Sequence, residues 1–295
     1  MLKKIGILII LAVSFSFASG ALKQAANEER IDFVANKLKE ELAKTEEAKR
    51  SHVWRKHEGS PLPEYEKLVF NARWKFITVG EATLELRGFD DIEGRKAHHI
   101  YSYAKTKPFF DNFFKVRDVN ESWLDEESKV SLRYSSNISE GGWKKLETLY
   151  FNHPERTFLL NDNGKMKKGA IPENLQDVLS ALYYIRTMDI KAGDKYVADA
   201  HSGDLSWPLT ISVLKEEKVS VPAGTFNCFV LEPAIRKNAG IVNASGKMRV
   251  WVTADEKKMP VLLKVKIPIL GSVEAELERM AKQQNLDKEE ADSKE

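Results

Sequence analysis

Chemistry in this chain would have to come from six histidines, one cysteine and many carboxylates. His98 and His99 are adjacent, and neighbouring residues on a strand point to opposite faces, so they cannot chelate one metal. His99 shares its face with Tyr101 and Tyr103, the setting of a hydrogen-bonded structural histidine, and His201 is the third histidine that draws attention. Cys228 lies in Phe226-Asn227-Cys228-Phe229-Val230, where Phe226, Cys228 and Val230 share a strand face, which predicts a buried, inert thiol. Gly240 and Gly246-Lys247 resemble a phosphate loop, but five residues intervene instead of four and Met248 stands where a Mg²⁺-binding hydroxyl belongs. Asn161-Asp162-Asn163-Gly164 lacks the later ligands of a calcium loop and reads as a hairpin turn. Cys-x-x-Cys, His-Glu-x-x-His and Gly-x-Ser-x-Gly are all absent. The sequence therefore predicts no catalytic residue, no metal site and no cofactor. An acid-rich chain still permits a glycosidase-type carboxylate pair, although no spacing singles one out.

The aromatic residues are more informative. Phe70, Trp74 and Phe76 fall on one face of an alternating run, and Pro108-Phe109-Phe110-Asp111-Asn112-Phe113-Phe114 packs four phenylalanines into one short segment. A sheet curled over bulky side chains either fills its interior or leaves a ligand cavity. The expected ligand-binding residues are Trp74, Phe76, Phe109, Phe110, Phe113, Phe114 and Arg117; the competing reading is a loop that plugs the core. Arg117 is expected to pair with a carboxylate or to meet an anionic headgroup.

The elements that must position these residues are mostly strands. Leu68, Phe70, Ala72, Trp74 and Phe76 alternate with Asn71, Arg73 and Lys75 up to Gly80, and Ala82, Leu84 and Leu86 repeat the pattern. Further strands are expected over 96–105, 116–124, 130–138, 143–151, 156–161, 195–201, 207–217, 226–234, 246–254, 260–267 and 272–279. One-sided alternation argues for antiparallel pairing. A helix is expected from Ile171-Pro172-Glu173 through Leu175, Val178, Leu179, Leu182 and Tyr183, ending before Gly193, with Asp177 and Arg186 complementing its dipole. The fold class is mainly β: a large curled antiparallel sheet, an open or closed barrel, with one packed helix and an N-terminal helical extension.

Residues 1–20 read as a signal peptide: Lys3 and Lys4, an apolar run from Ile5 to Ala18, then Ala18-Ser19-Gly20. The expected location is the periplasm, with an uncleaved inner-membrane anchor as the alternative. Residues 21–63 form a helical extension, striped by Ile31, Val34, Leu38 and Leu42, and a Pro61/Pro63 connector. Residues 64–280 form the β-rich body and 281–295 an acidic flexible tail. The composition, 42% hydrophobic and 31% charged, is that of a globular chain. Residues 21–295 hold 44 basic and 44 acidic side chains, a balance that argues against a dedicated nucleic-acid binder.

Phe76-Ile77-Thr78-Val79-Gly80-Glu81-Ala82, Phe114-Lys115-Val116-Arg117-Asp118, Asp177 to Arg186, Val221-Pro222-Ala223-Gly224-Thr225-Phe226 and Met248-Arg249-Val250-Trp251-Val252 with Asp255 and Pro260-Val261 occur in that order. Together they resemble the bacterial exported family called domain of unknown function 3108, over roughly residues 66–279. The resemblance implies an exported, mostly β protein and assigns no activity. The leading expectation is a non-catalytic periplasmic protein that binds or carries an apolar or amphipathic envelope molecule such as a lipid, with peripheral membrane contact. Next comes an envelope assembly protein docking a partner through residues 22–57, and last an envelope hydrolase.

Overall fold

The computed structural model describes residues 52–234, 247–267 and 271–281. The proposed signal peptide, the helical extension up to residue 51, the phosphate-loop look-alike at Gly240 and Gly246, and the tail from 282 lie outside the described residues. Fifteen strands make one sheet: β1 (Tyr65–Trp74), β2 (Ile77–Ile92), β3 (Arg95–Thr106), β4 (Arg117–Asp125), β5 (Ser131–Glu140), β6 (Trp143–Asn152), β7 (Thr157–Asp162) and β8 (Lys165–Ala170) precede β9 (Leu175–Gln176). After them come β10 (Lys195–Ser202), β11 (Leu205–Val221), β12 (Gly224–Pro233), β13 (Lys247–Thr253), β14 (Pro260–Ile267) and β15 (Gly271–Ala281). Two short helices interrupt them, α1 (Pro108–Asp111) and α2 (Ser180–Arg186).

The strand order is β8-β7-β6-β5-β4-β3-β2-β1-β15-β14-β13-β12-β11-β10-β9, and every pairing is antiparallel except β9 with β10. The two edge strands, β8 and β9, are therefore consecutive in the chain. Fifteen strands about 4.8 Å apart would span roughly 67 Å if flat. From Ala170 to Leu175 an extended chain reaches about 18 Å at most. The connectivity thus forces the sheet to curl until its edges meet. The meeting is made by side chains: the His201 ring on β10 lies 4.6 Å from that of Phe158 on β7 and 5.3 Å from that of Phe151 on β6. Lys167 Nζ on β8 reaches Asp204 at 2.7 Å. The sheet is an open barrel held shut at a seam.

Alternation places Leu68, Phe70 and Ala72 of β1, Val230 of β12, Val250 of β13 and Leu263 of β14 inside. The expected strands fall on observed ones, with three differences. The run through Phe76 to Gly80 is two strands, because the chain turns at Lys75 with φ 56° and Gly80 lies inside β2. β8 and β9 were not expected: Lys-Met-Lys-Lys carries no apolar alternation, and its exposed lysines suit an unpaired edge. The helix expected from Ile171 is only α2, since Leu175 and Gln176 pair with β10. Residues 52–58, the end of the expected extension, are not helical; this strap donates His57 N–H to Glu127 O at 2.9 Å and Ser60 N–H to Thr187 O at 2.8 Å.

Candidate functional site

Antiparallel order assigns each turn to one end of the barrel. The lower end is crossed inside by α2 and outside by the strap, whose His57 Nε2 lies 2.8 Å from Thr187 Oγ1. Asp177 begins the α2 turn, accepting the N–H groups of Leu179 and Ser180 at 2.8 and 2.9 Å. Its other oxygen accepts the hydroxyls of Ser122 on β4 and Ser131 on β5, at 2.6 and 2.5 Å. Burial pushes Asp177 upward, and these four donors pull it back. At the far end of α2 the fully buried Arg186 side chain makes a two-pronged pair with Glu66 of β1, at 2.7 and 2.8 Å. Burial works against the Arg186 charge, while Glu66 holds it in place. Residues expected to complement a helix dipole are thus the two anchors of an internal plug.

Between the plug and the sheet lies an apolar cavity, walled by Leu179, Leu182 and Ile185 of α2 and by Phe70, Leu84, Trp207, Ile211, Leu231, Met248 and Leu263 of the sheet. Counting only positions open to the centre of a water molecule, its volume is about 90 Å³. Its wall is nearly all carbon, yet the buried Trp207 Nε1–H has no hydrogen-bond acceptor among the described residues. A buried donor left unmet costs about 1–3 kcal/mol.

The opposite wall of the interior is polar. Asp118, Asn120 and Ser122 of β4 and Glu140 of β5 point inward, and Tyr134 donates its hydroxyl to Asn120 Oδ1 at 2.8 Å. Lys145 Nζ pairs with Glu147 at 2.5 Å in a buried bridge. Burial and the neighbouring Glu140 raise Asp118 far above the ordinary carboxylate range, and burial raises Glu140. Burial and mutual repulsion thus both favour keeping a proton within this pair of carboxyls. Neither lines the cavity.

The seven residues expected to bind ligand gather at the upper end, outside the cavity wall. Trp74 ends β1 and is half-buried, and Phe76 occupies the hairpin tip with 80% of its surface exposed. Phe109 and Phe113 are also exposed, whereas Phe110 and Phe114 pack on the core. The Phe114 ring lies over Gly141, where φ is +51° and a Cβ would sit 2.2 Å from a ring carbon, so this loop is fixed by a glycine. Arg117 makes a two-pronged ion pair with Asp111, at 3.1 and 2.6 Å, which ties α1 to β4. His99 meets Glu121 at 3.0 Å and stacks on Trp123. Cys228 is buried, and burial pushes its thiol up to about 11. Among the described residues there is no cluster of three metal-ligating side chains, and no helix is long and apolar enough to cross a membrane.

The cavity wall escaped sequence reading because its residues come from both ends of the chain. A signal for the plug existed in Asp177 and Arg186, two charged residues flanking an apolar run. The polar wall showed in Arg117-Asp118-Val119-Asn120-Glu121-Ser122, a strand with polar residues on both faces.

Among solved structures, the chain is similar to a beta-barrel-like protein of the domain of unknown function DUF1849 from Brucella abortus. The two share 8% identity over 75% of this chain and 98% of that one, with a TM-score of 0.49. It is also similar to a candidate exported protein with a YmcC-like fold from Bacteroides fragilis, at 11% identity over 76% and 99% of the two chains and a TM-score of 0.28. A candidate lipoprotein from Parabacteroides distasonis matches at 9% identity over 75% and 97%, with a TM-score of 0.27. No curated protein matches the chain. The model of the family described as protein of unknown function (DUF3108) matches residues 69–278, and the chain belongs to that family.

Proposed function

We propose that this protein is a non-catalytic carrier of the cell envelope, which holds an apolar or amphipathic molecule such as a lipid in the cavity between α2 and the sheet. One observation carries the reading: an almost wholly carbon-walled cavity lies inside the barrel, and one of its lining residues, Trp207, has a buried indole N–H with no acceptor among the described residues. Apolar walls favour an alkyl or ring body by the hydrophobic effect, and the indole N–H fixes one acceptor of the ligand. The signal-peptide pattern of residues 1–20 supports an envelope location.

Native mass spectrometry with parallel lipid extraction, on protein recovered from the periplasm, tests this. The expected result is a retained lipid-sized mass. Ala82 and Ala275 both line the cavity. The double variant Ala82→Leu/Ala275→Leu fills the space with methyl groups and should lose that mass while keeping the fold. Equal retention by the filled variant, or a clean apo mass for the native chain together with no uptake of added fatty acid or phospholipid, sinks the reading.

A further inference from the structure

The exposed large apolar side chains are not spread evenly. Eleven occur among the described residues, and six of them, Phe76, Ile77, Phe109, Phe113, Met166 and Leu205, lie at or beside the upper-end turns. Phe76 is 80%, Phe109 67% and Phe113 57% exposed. These three lie at adjoining turns: Lys107 N–H bonds Val79 O at 3.0 Å, which sets α1 beside the start of β2, and Phe76 sits in the β1–β2 turn three residues before Val79. Phe109 and Phe113 hold each other at 5.6 Å between ring centroids. The lower end differs in kind: its exposed apolar side chains are Val53, Tyr65 and Met280, and no phenylalanine is among them.

The charges interleaved with these rings have one sign. The nearby acids are already engaged: Asp111 by Arg117, Glu81 by Lys105 and Asp204 by Lys167. Lys75, Lys107, Lys115 and Lys144 are exposed and take part in no ion pair among the described residues, Lys75 lying over the Trp74 ring. Exposed phenylalanines surrounded by unpaired lysines are how a protein surface meets an anionic bilayer: the rings enter the acyl boundary and the ammonium groups stay at the phosphates.

We propose that the upper end of the barrel, led by Phe76, Phe109 and Phe113 with Lys75, Lys107 and Lys115, docks reversibly on an anionic phospholipid surface. The proposal does not depend on the cavity being occupied. Docking would turn the α1 loop and the β1–β2 tip toward the lipid and leave the plugged end in solution.

Co-sedimentation of the full chain with vesicles of phosphatidylcholine alone, and of phosphatidylcholine with phosphatidylglycerol, tests it. The expected result is binding to the anionic vesicles that weakens with salt. Phe76→Ser/Phe109→Ser/Phe113→Ser and Lys75→Glu/Lys107→Glu/Lys115→Glu should each weaken it by at least about tenfold. Both sets alter exposed side chains, so circular dichroism and melting temperature should match the parent; a set that unfolds is replaced by its single substitutions. The cavity-filled Ala82→Leu/Ala275→Leu variant should bind vesicles as the parent does, which separates this proposal from the carrier reading. Vesicle binding unchanged in both rim variants, or equal binding to neutral and anionic vesicles, overturns it. So does a shift from oligomer to monomer in the phenylalanine variant without loss of vesicle binding, which would make the rim a contact between copies.

Discussion

Asp118 has no exposed surface, and the Glu140 carboxyl beside it is nearly as buried, so folding forces the pair to keep a proton that both would shed in water. The folded state binds more protons than the unfolded one from about pH 4 upward. The contribution of the pair to stability is therefore complete below the unfolded pKa and is lost as pH rises through the raised folded value. Asp118→Asn removes the acid and keeps a group able to donate to Glu140. Urea unfolding at pH 5 and pH 8 should show the variant gaining on the parent by up to about 1.4 kcal/mol per pH unit, the gain levelling off as pH nears the folded value of about 8. Identical pH dependence in the two proteins would refute the retained proton. Asp118 was visible in the sequence only as a charge next to Arg117; its inward direction follows from its place on β4, and its partner lies across the β4–β5 pairing.

Helix α2 is seven residues long, too short to persist by propensity, and it exists because both of its ends are tied to the barrel. Asp177 fastens its start to β4 and β5, and Arg186 fastens its end to β1 and to Lys257 O at 3.2 Å. Arg186→Met should destabilise the protein by about 3–5 kcal/mol, because it removes one partner of a buried ion pair and leaves Glu66 without the other. The double variant Glu66→Leu/Arg186→Met should recover most of that loss, as read by urea midpoint. A double variant no more stable than the single one would mean that the guanidinium is needed for shape and not for its charge. The apolar spacing from Leu175 to Tyr183 was legible as a helix, but its first turn was not: Leu175 and Gln176 complete the edge beside β10, and a strand pairing outweighs local helix preference.

The barrel closes by a seam of rings and not by backbone hydrogen bonds. His201 is central to that seam, set between Phe151 and Phe158 and held by Ser206 Oγ at 2.7 Å and Gly203 O at 3.0 Å. Burial lowers it to about 4, and lowers His153 to about 4 and His98 to about 3. The unfolded chain takes up these protons below about pH 6.5, while the folded chain refuses them until about pH 4. Stability is thus fully present above 6.5 and declines as pH falls through that window, opposite in sign to the carboxyl pair. His201→Gln should cost about 1–2 kcal/mol at pH 7 and reduce the acid decline between pH 6.5 and 5, with the change in urea midpoint as the readout. An unaltered acid decline would show that the seam does not sense protons.

Alternation of apolar and polar residues at a period of two decided by itself that the chain is a run of antiparallel strands, because burying one face of a pleat needs that pattern and no other. Most strand positions, the buried Cys228 and the opposite faces of His98 and His99 follow from it directly. Which strands meet does not, because pairing β1 with β15 joins segments about 200 residues apart, and local sequence carries no record of such distant partners. Tertiary structure alone decided that the sheet curls, that Asp177 and Arg186 become the anchors of a plug, and that the cavity draws its wall from both halves of the chain. It also turned the phenylalanines of 109–114 in two directions, Phe110 and Phe114 onto the core and Phe109 and Phe113 into solvent.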